Sequence, residues 1–257
     1  MLGLRLQTFA LPKQGHQPEE YEDAWACNTP ATRLALADGA SDAFESRLWA
    51  QALVQAFIHE PPAPHRDTLL DWLVAPMQVW KAGIHWNQLP WYAEEKSRRG
   101  AFATLLGISF AWPVADGAEE AVAAAQWQAI AVGDVCLFQM RSEAVMVHFP
   151  VEQAADFGTT PPLLSTRLEY NRRSLETLRT HEGECQQGDL FVLATDALAA
   201  WFLRQVEAGE RPWQCLMELT EDTFAALVAH LRQEGSMRND DVTLVVGWVE
   251  NTKEALP

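Results

Sequence analysis

Leu34-Ala35-Leu36-Ala37-Asp38-Gly39-Ala40-Ser41-Asp42 reads as a buried strand that ends on an acid–glycine pair and turns into a helix. A short apolar run bounded by a turn signal is the pattern of a core strand, and Gly39 supplies the turn. Beyond it, Phe44, Leu48, Ala52, Leu53, Val54 and Phe57 recur at helical spacing and predict a helix over 44–58, capped by Ser41 or Asp42. A carboxylate at the end of a rigid strand faces a crevice, which makes Asp38 the candidate centre of an active site. Taken alone, Asp-Gly after a strand is more often a plain turn, so the rest of the chain has to decide.

Bulk properties narrow the classes. A chain of 257 residues, 48% hydrophobic, can bury a sizeable core, and it is read as one domain over 1–257. Its formal charge of -16 argues against nucleic acid or an anionic membrane as partner. The basic cluster Lys96, Arg98 and Arg99 reads as a solvated helix end. Cys27, Cys136, Cys185 and Cys215 lie far apart with no Cys-x-x-Cys pair and are expected to be reduced structural thiols. No apolar run approaches a membrane span and no leader pattern opens the chain, so the expectation is a cytoplasmic, monomeric protein.

Taken in order, Leu2, Leu4, Leu6 and Thr8 alternate as a strand would. A polar loop over 12–20 leads to Tyr21-Glu22-Asp23-Ala24-Trp25-Ala26, two acids entering a second strand. Residues 61–99 predict two helices broken near Pro76 or Pro90, with Trp72, Trp80, Trp86 and Trp91 read mainly as core. The runs 100–112 and 123–140 predict a strand pair. Between them Ala115-Asp116-Gly117-Ala118 repeats the tetrad of 37–40, here as a hairpin turn. Asp134 stands out as an acid inside the apolar run Val132-Gly133-Asp134-Val135-Cys136-Leu137, where a lone carboxylate is costly.

A strand over 144–149 follows, and 150–187 is expected to be an irregular excursion. Asp156-Phe157-Gly158 has no companion kinase motif, and His181-Glu182 lacks the second histidine of a zinc-protease helix. Leu190-Phe191-Val192-Leu193-Ala194-Thr195-Asp196 then repeats the opening pattern, an apolar strand ending on an acid before a helix over 197–207. A helix over 213–233 and Arg238-Asn239-Asp240-Asp241 precede a last strand over 242–249.

Glu22, Asp23, Asp38, Asp134, Asp196 and Asp240 are thus acids at strand ends of a mixed α+β chain, with no cysteine or histidine spaced to join them. Oxygen-only ligands suit Mg²⁺ or Mn²⁺. Carboxylates meeting at one place repel unless cations neutralise them, which points to a binuclear centre.

These residues resemble the type 2C metal-dependent serine/threonine protein phosphatases, in a divergent bacterial-type branch. The similarity runs in family order through Glu22-Asp23-Ala24, Ala37-Asp38-Gly39, Val132-Gly133-Asp134, Ala194-Thr195-Asp196 and Asp240-Asp241-Val242-Thr243. It implies an α+β fold, a four-layer αββα sandwich of two antiparallel sheets flanked by helices, with metals at one end. By the same resemblance Asp38 bridges two Mn²⁺ or Mg²⁺ ions and the Gly39 carbonyl helps bind one. Asp196 and Asp240 hold one metal, Glu22 holds the other largely through water, Asp134 with Asp196 holds a third, looser ion, and Asp23 supports the shell.

The implied activity is hydrolysis of phosphoserine and phosphothreonine in a phosphorylated protein substrate, a signalling reaction in which a metal-activated water attacks phosphorus. Asp38, Asp196 and Asp240 are the residues expected to carry it. The pattern departs from the family at Pro18, where an arginine commonly grips phosphate, and at Ala40-Ser41-Asp42, Ala197 and Asp241. Lys13 and His16 are the cations that could stand in for the arginine, though both read as plain loop, and the substrate-binding residues stay unassigned. The alternative function is an inactive phosphatase-fold module that binds a phosphorylated partner; a phosphatase of small metabolites is a third reading.

Overall fold

The computed structural model describes residues 2–89, 91–113, 124–158 and 160–251. Its strands, in chain order, are β1 (Leu2–Leu11), β2 (Ala24–Cys27), β3 (Arg33–Ala37), β4 (Phe102–Ala103), β5 (Leu105–Ala111), β6 (Ala125–Val132), β7 (Cys136–Arg141), β8 (Ala144–Phe149), β9 (Leu164–Ser165), β10 (Arg179–Cys185), β11 (Leu190–Ala194) and β12 (Val242–Asn251). The helices are α1 (Ser46–His59), α2 (Arg66–Trp72), α3 (Val74–Ala82), α4 (Trp91–Arg99), α5 (Leu168–Leu175), α6 (Asp196–Glu207), α7 (Pro212–Leu216) and α8 (Glu221–Gln233).

Two five-stranded antiparallel sheets form the centre, ordered β1-β12-β11-β7-β8 and β10-β6-β5-β3-β2. The inner strands β3, β5, β7, β11 and β12 are largely apolar on both faces because each is covered on both sides. In β12, Val242, Leu244 and Val246 pack outward with Phe202, Trp213 and Phe224 of α6, α7 and α8, while Val245 and Val249 point into the space between the sheets. In β3, Ala35 and Ala37 face Trp49, Leu53 and Phe57 of α1, while Leu34 and Leu36 meet Phe191 and Leu193 of the other sheet. Period-two alternation thus feeds three cores and produces the expected layers, helices–sheet–sheet–helices.

Several local expectations need correction. Helix α1 begins at Ser46, and Glu45, in a left-handed conformation (φ 53°), precedes it without a side-chain cap; neither Ser41 nor Asp42 caps it. Residues 61–99 hold three α-helices, with the first break at Leu73. Pro76 sits in the first turn of α3, where its missing N–H costs nothing. Pro90 lies outside the described residues, as does the Asp116 turn. Trp80 is buried, whereas Trp86 is 41% exposed.

The run 123–140 is two strands in different sheets, β6 and β7, with the chain crossing over at Gly133-Asp134-Val135. Gly133 is required there: its φ is +105°, and a Cβ would lie 2.4 Å from Thr104 Cγ2. The stretch 213–233 is likewise divided, since Thr220 caps α8 reciprocally with Thr223. Residues 150–187 are not wholly irregular; they contain α5 and β10, which forms a sheet edge against β6. The four cysteines are unpaired; Cys136 and Cys185 are buried in the cores, Cys27 is half-buried and Cys215 is exposed. Among the described residues no helix is long and apolar enough to cross a membrane.

Candidate metal centre

Strand direction brings the acids to one end of the sandwich. Ala37 pairs with Ala24, so the end of β3, carrying Asp38, lies beside the start of β2, carrying Glu22 and Asp23. Ala194 pairs with Leu244 and with Cys136, so Asp196 after β11, Asp240 before β12 and Asp134 before β7 cluster at the same end of the second sheet.

Each carboxylate is held differently. Asp38 is half-buried; its amide donates to Thr104 Oγ1 at 3.0 Å, and its carbonyl accepts the Thr104 amide at 2.9 Å. Burial, together with the charges of Asp23, Asp196, Asp134 and Asp240, pushes the Asp38 carboxyl well above the usual range. Asp23 is buried and accepts the Thr243 hydroxyl at 2.6 Å on Oδ2, and Thr243 in turn contacts the Tyr21 hydroxyl. Burial raises Asp23 to about 8 and Asp134 to about 7. Glu22 and Asp196 are also raised, chiefly by burial. These carboxyls are under one another's field, as the clustered acids of a cation site are.

Among the described residues, none gives a well-formed hydrogen bond to Asp23 Oδ1, Asp196 Oδ1 or either carboxylate oxygen of Asp134, all of which are buried. Such atoms cost about 1–3 kcal/mol each unless a proton or cation meets them. Hard divalent cations fit this donor set, all oxygen and all acidic. Among the described residues no three acids, histidines or cysteines stand close enough to ligate one ion. Cationic side chains lie against part of the set: Arg238 Nη2 bonds Asp196 Oδ2 and lies 3.3 Å from Asp240 Oδ2. Lys13 Nζ stands 3.6 Å from Glu22 Oε2 and donates to Ser41 Oγ at 2.6 Å. His16 faces outward, towards Glu20.

Gly39 has no room for a side chain: a Cβ would lie 2.8 Å from the Glu22 carbonyl oxygen and 2.9 Å from Ser46 Cβ. The glycine therefore lets the Asp38 turn close against the Glu22 segment. A cleft of about 900 Å³ between the edge strands β8 and β10, lined by His148, Arg179 and His181, contains none of these acids.

Sequence reasoning missed Thr104 and Arg238, and quoted Asp241 and Thr243 within the last motif without seeing what they hold. Asp241 is buried and accepts the Glu22 amide on Oδ2 and the Lys13 amide on Oδ1, each at 2.8 Å. Its place directly before a buried strand was the available signal. Its partners, more than 200 positions away along the chain, were not visible.

No protein-family model matches the chain, and no curated protein matches its sequence. Solved structures match its fold. The catalytic domain of the serine/threonine protein phosphatase PstP, in complex with two manganese ions, superposes with a TM-score of 0.59 at 18% identity, covering 98% of this chain and all (100%) of that one. The photosystem II phosphatase PBCP gives 0.58 at 16% identity, covering 96% of this chain and 99% of its own. The serine/threonine phosphatase Stp1 from Staphylococcus aureus gives 0.56 at 14% identity, covering 96% of both chains. The likeness suggested by the ordered acidic motifs therefore extends to the whole architecture: this chain has the fold of the type 2C metal-dependent serine/threonine protein phosphatases.

Proposed function

We propose that this chain is a divalent-metal-dependent phosphatase that hydrolyses phosphoserine and phosphothreonine in a protein substrate. The observation that carries the proposal is the set of buried carboxylate oxygens of Asp23, Asp134 and Asp196, given no well-formed hydrogen bond by the described residues, at the sandwich end that also carries Glu22, Asp38 and Asp240. In this reading Asp38, the Gly39 carbonyl, Glu22, Asp196 and Asp240 would hold two Mn²⁺ or Mg²⁺ ions, and Asp134 with Asp196 would hold a third, looser one.

Bound there, two such ions would acidify a water, orient it towards phosphorus and neutralise charge on the phosphoryl oxygens. The chain's own residues supply position. Thr104 fixes the backbone of Asp38 from both sides, Asp241 fixes that of Glu22, and Thr243 orients Asp23. No nucleophilic side chain is needed. The net charge of -16 supports a site whose phosphate attraction comes from its metals, and the four unpaired cysteines support action in the reducing cytoplasm.

Hydrolysis of p-nitrophenyl phosphate and a phosphothreonine peptide, with and without Mn²⁺, tests the proposal beside Asp38→Asn. Mn²⁺-dependent release by wild type and loss of about 10³-fold or more in the variant is expected, since a metal ligand is removed. Equal rates in the two proteins would refute it. Peptide binding without phosphate release would favour a binding module instead.

A further inference from the structure

Arg238 is placed unlike the other arginines near the site. Its Nη2 bonds Asp196 Oδ2 at the start of α6 and lies 3.3 Å from Asp240 Oδ2 just before β12, so one nitrogen is shared by carboxylates from two elements. Its charge also acts on Asp134. These are the acids assigned above to the cations. We propose that Arg238 is an internal counter-cation that a divalent ion must displace, and that it thereby sets the metal affinity of the site. This inference rests on the metal-centre reading of the preceding section.

A structural arginine has a different signature. Arg232, a few residues earlier, is tied to backbone carbonyls, Nη1 to Pro12 O at 3.2 Å and Nη2 to Asp240 O at 2.5 Å. Arg204 likewise binds the Ser236 carbonyl. Among the described residues the hydrogen-bond and ion-pair partners of the Arg238 side chain are Asp196 and Asp240, and that side chain is 50% exposed. It can swing into solvent without breaking a backbone contact. A guanidinium offers several donors to two carboxylates but a single charge, whereas a divalent ion brings two charges and accepts oxygen ligands directly. The ion therefore wins the site, with an affinity reduced by the contact it breaks. Among the described residues Lys13 Nζ meets one carboxylate, Glu22, and Ser41, and makes no such bridge.

The test is calorimetric titration of Mn²⁺ into EDTA-treated, dialysed wild type, Arg238→Gln and Arg238→Lys, with thermal melts of each protein in EDTA and in saturating Mn²⁺. Arg238→Gln is expected to bind Mn²⁺ about five- to tenfold more tightly, the size of one half-exposed charge-assisted contact, with Arg238→Lys between it and wild type. In EDTA the Gln variant melts below wild type, and in saturating Mn²⁺ the two converge. Equal or weaker Mn²⁺ binding by Arg238→Gln overturns the inference, as does a melting deficit that Mn²⁺ leaves unchanged, the mark of a structural anchor. Should the Gln variant fold incompletely by circular dichroism, the Lys variant decides in the same way. Wild type that binds Mn²⁺ but releases no phosphate defeats the catalytic reading alone, whereas wild type and variants that all fail to bind Mn²⁺ defeat both.

Discussion

Asp241 holds Glu22: its Oδ2 accepts the Glu22 amide at 2.8 Å, while its Oδ1 accepts the amide of Lys13. One buried carboxylate thereby pins the loop after β1 and the approach to β2 to the start of β12. Asp241→Ala leaves two amides without their acceptor and is expected to cost about 2–3 kcal/mol in urea denaturation. It should also weaken Mn²⁺ binding about tenfold, as loss of an outer partner commonly does. Asn in its place offers one acceptor oxygen and should retain part of both. An unchanged affinity in Asp241→Ala would remove Asp241 from the account.

Gly39→Ala tests the close approach of the Asp38 turn to the Glu22 carbonyl. The contacts a Cβ would make, 2.8 Å and 2.9 Å, are not accommodated without backbone movement. A loss of about 1–3 kcal/mol is expected. Mn²⁺ affinity should fall as well, because the shift separates Asp38 from Glu22. A core control, Leu36→Ala, removes a fully buried side chain and should cost about 2–5 kcal/mol while the acids keep their places. If both variants lose stability but only the glycine variant loses metal, the close approach serves the site.

The buried carboxyls set a pH dependence with a definite sign. Asp134 is raised to about 7 and Asp23 to about 8, both chiefly by burial. In the unfolded chain such groups lose their protons near pH 4. Between those values the folded chain binds more protons than the unfolded one, so rising pH lowers stability, by up to about 1.4 kcal/mol per pH unit for each proton held. Their contribution is complete below pH ~4 and gone above pH ~8. In EDTA, denaturation should therefore show less stability at pH 8 than at pH 5. Saturating Mn²⁺ should narrow the difference, and Mn²⁺ titrations at pH 6 in buffers of different ionisation enthalpy should report proton release. Stability that rises over this window in EDTA would contradict the assignment.

The parts of this architecture that were legible from sequence are those with strong local pattern. Residues 34–37, 190–194 and 242–249 are continuous apolar runs because both faces of each strand are buried, and Asp38, Asp196 and Asp240 mark their ends. β10 was illegible because Arg179-Thr180-His181-Glu182-Gly183-Glu184 is polar and open to solvent, as an edge strand can be. The crossover at Asp134 was hidden because β6 and β7 look like one apolar run until Gly133 turns the chain. Arg238 and Asp241 act through contacts 42 and 219 positions away, which no local spacing encodes.

The most direct test of the metal centre is anomalous diffraction at the manganese edge from a crystal of this protein soaked in Mn²⁺. Two peaks roughly 3.5–4 Å apart, sharing the Asp38 carboxylate, with Asp196 and Asp240 on one and Glu22 on the side of the other, are the predicted result. Absence of manganese at Asp38 in a fully soaked crystal, with Arg238 still seated on Asp196 and Asp240, would contradict it.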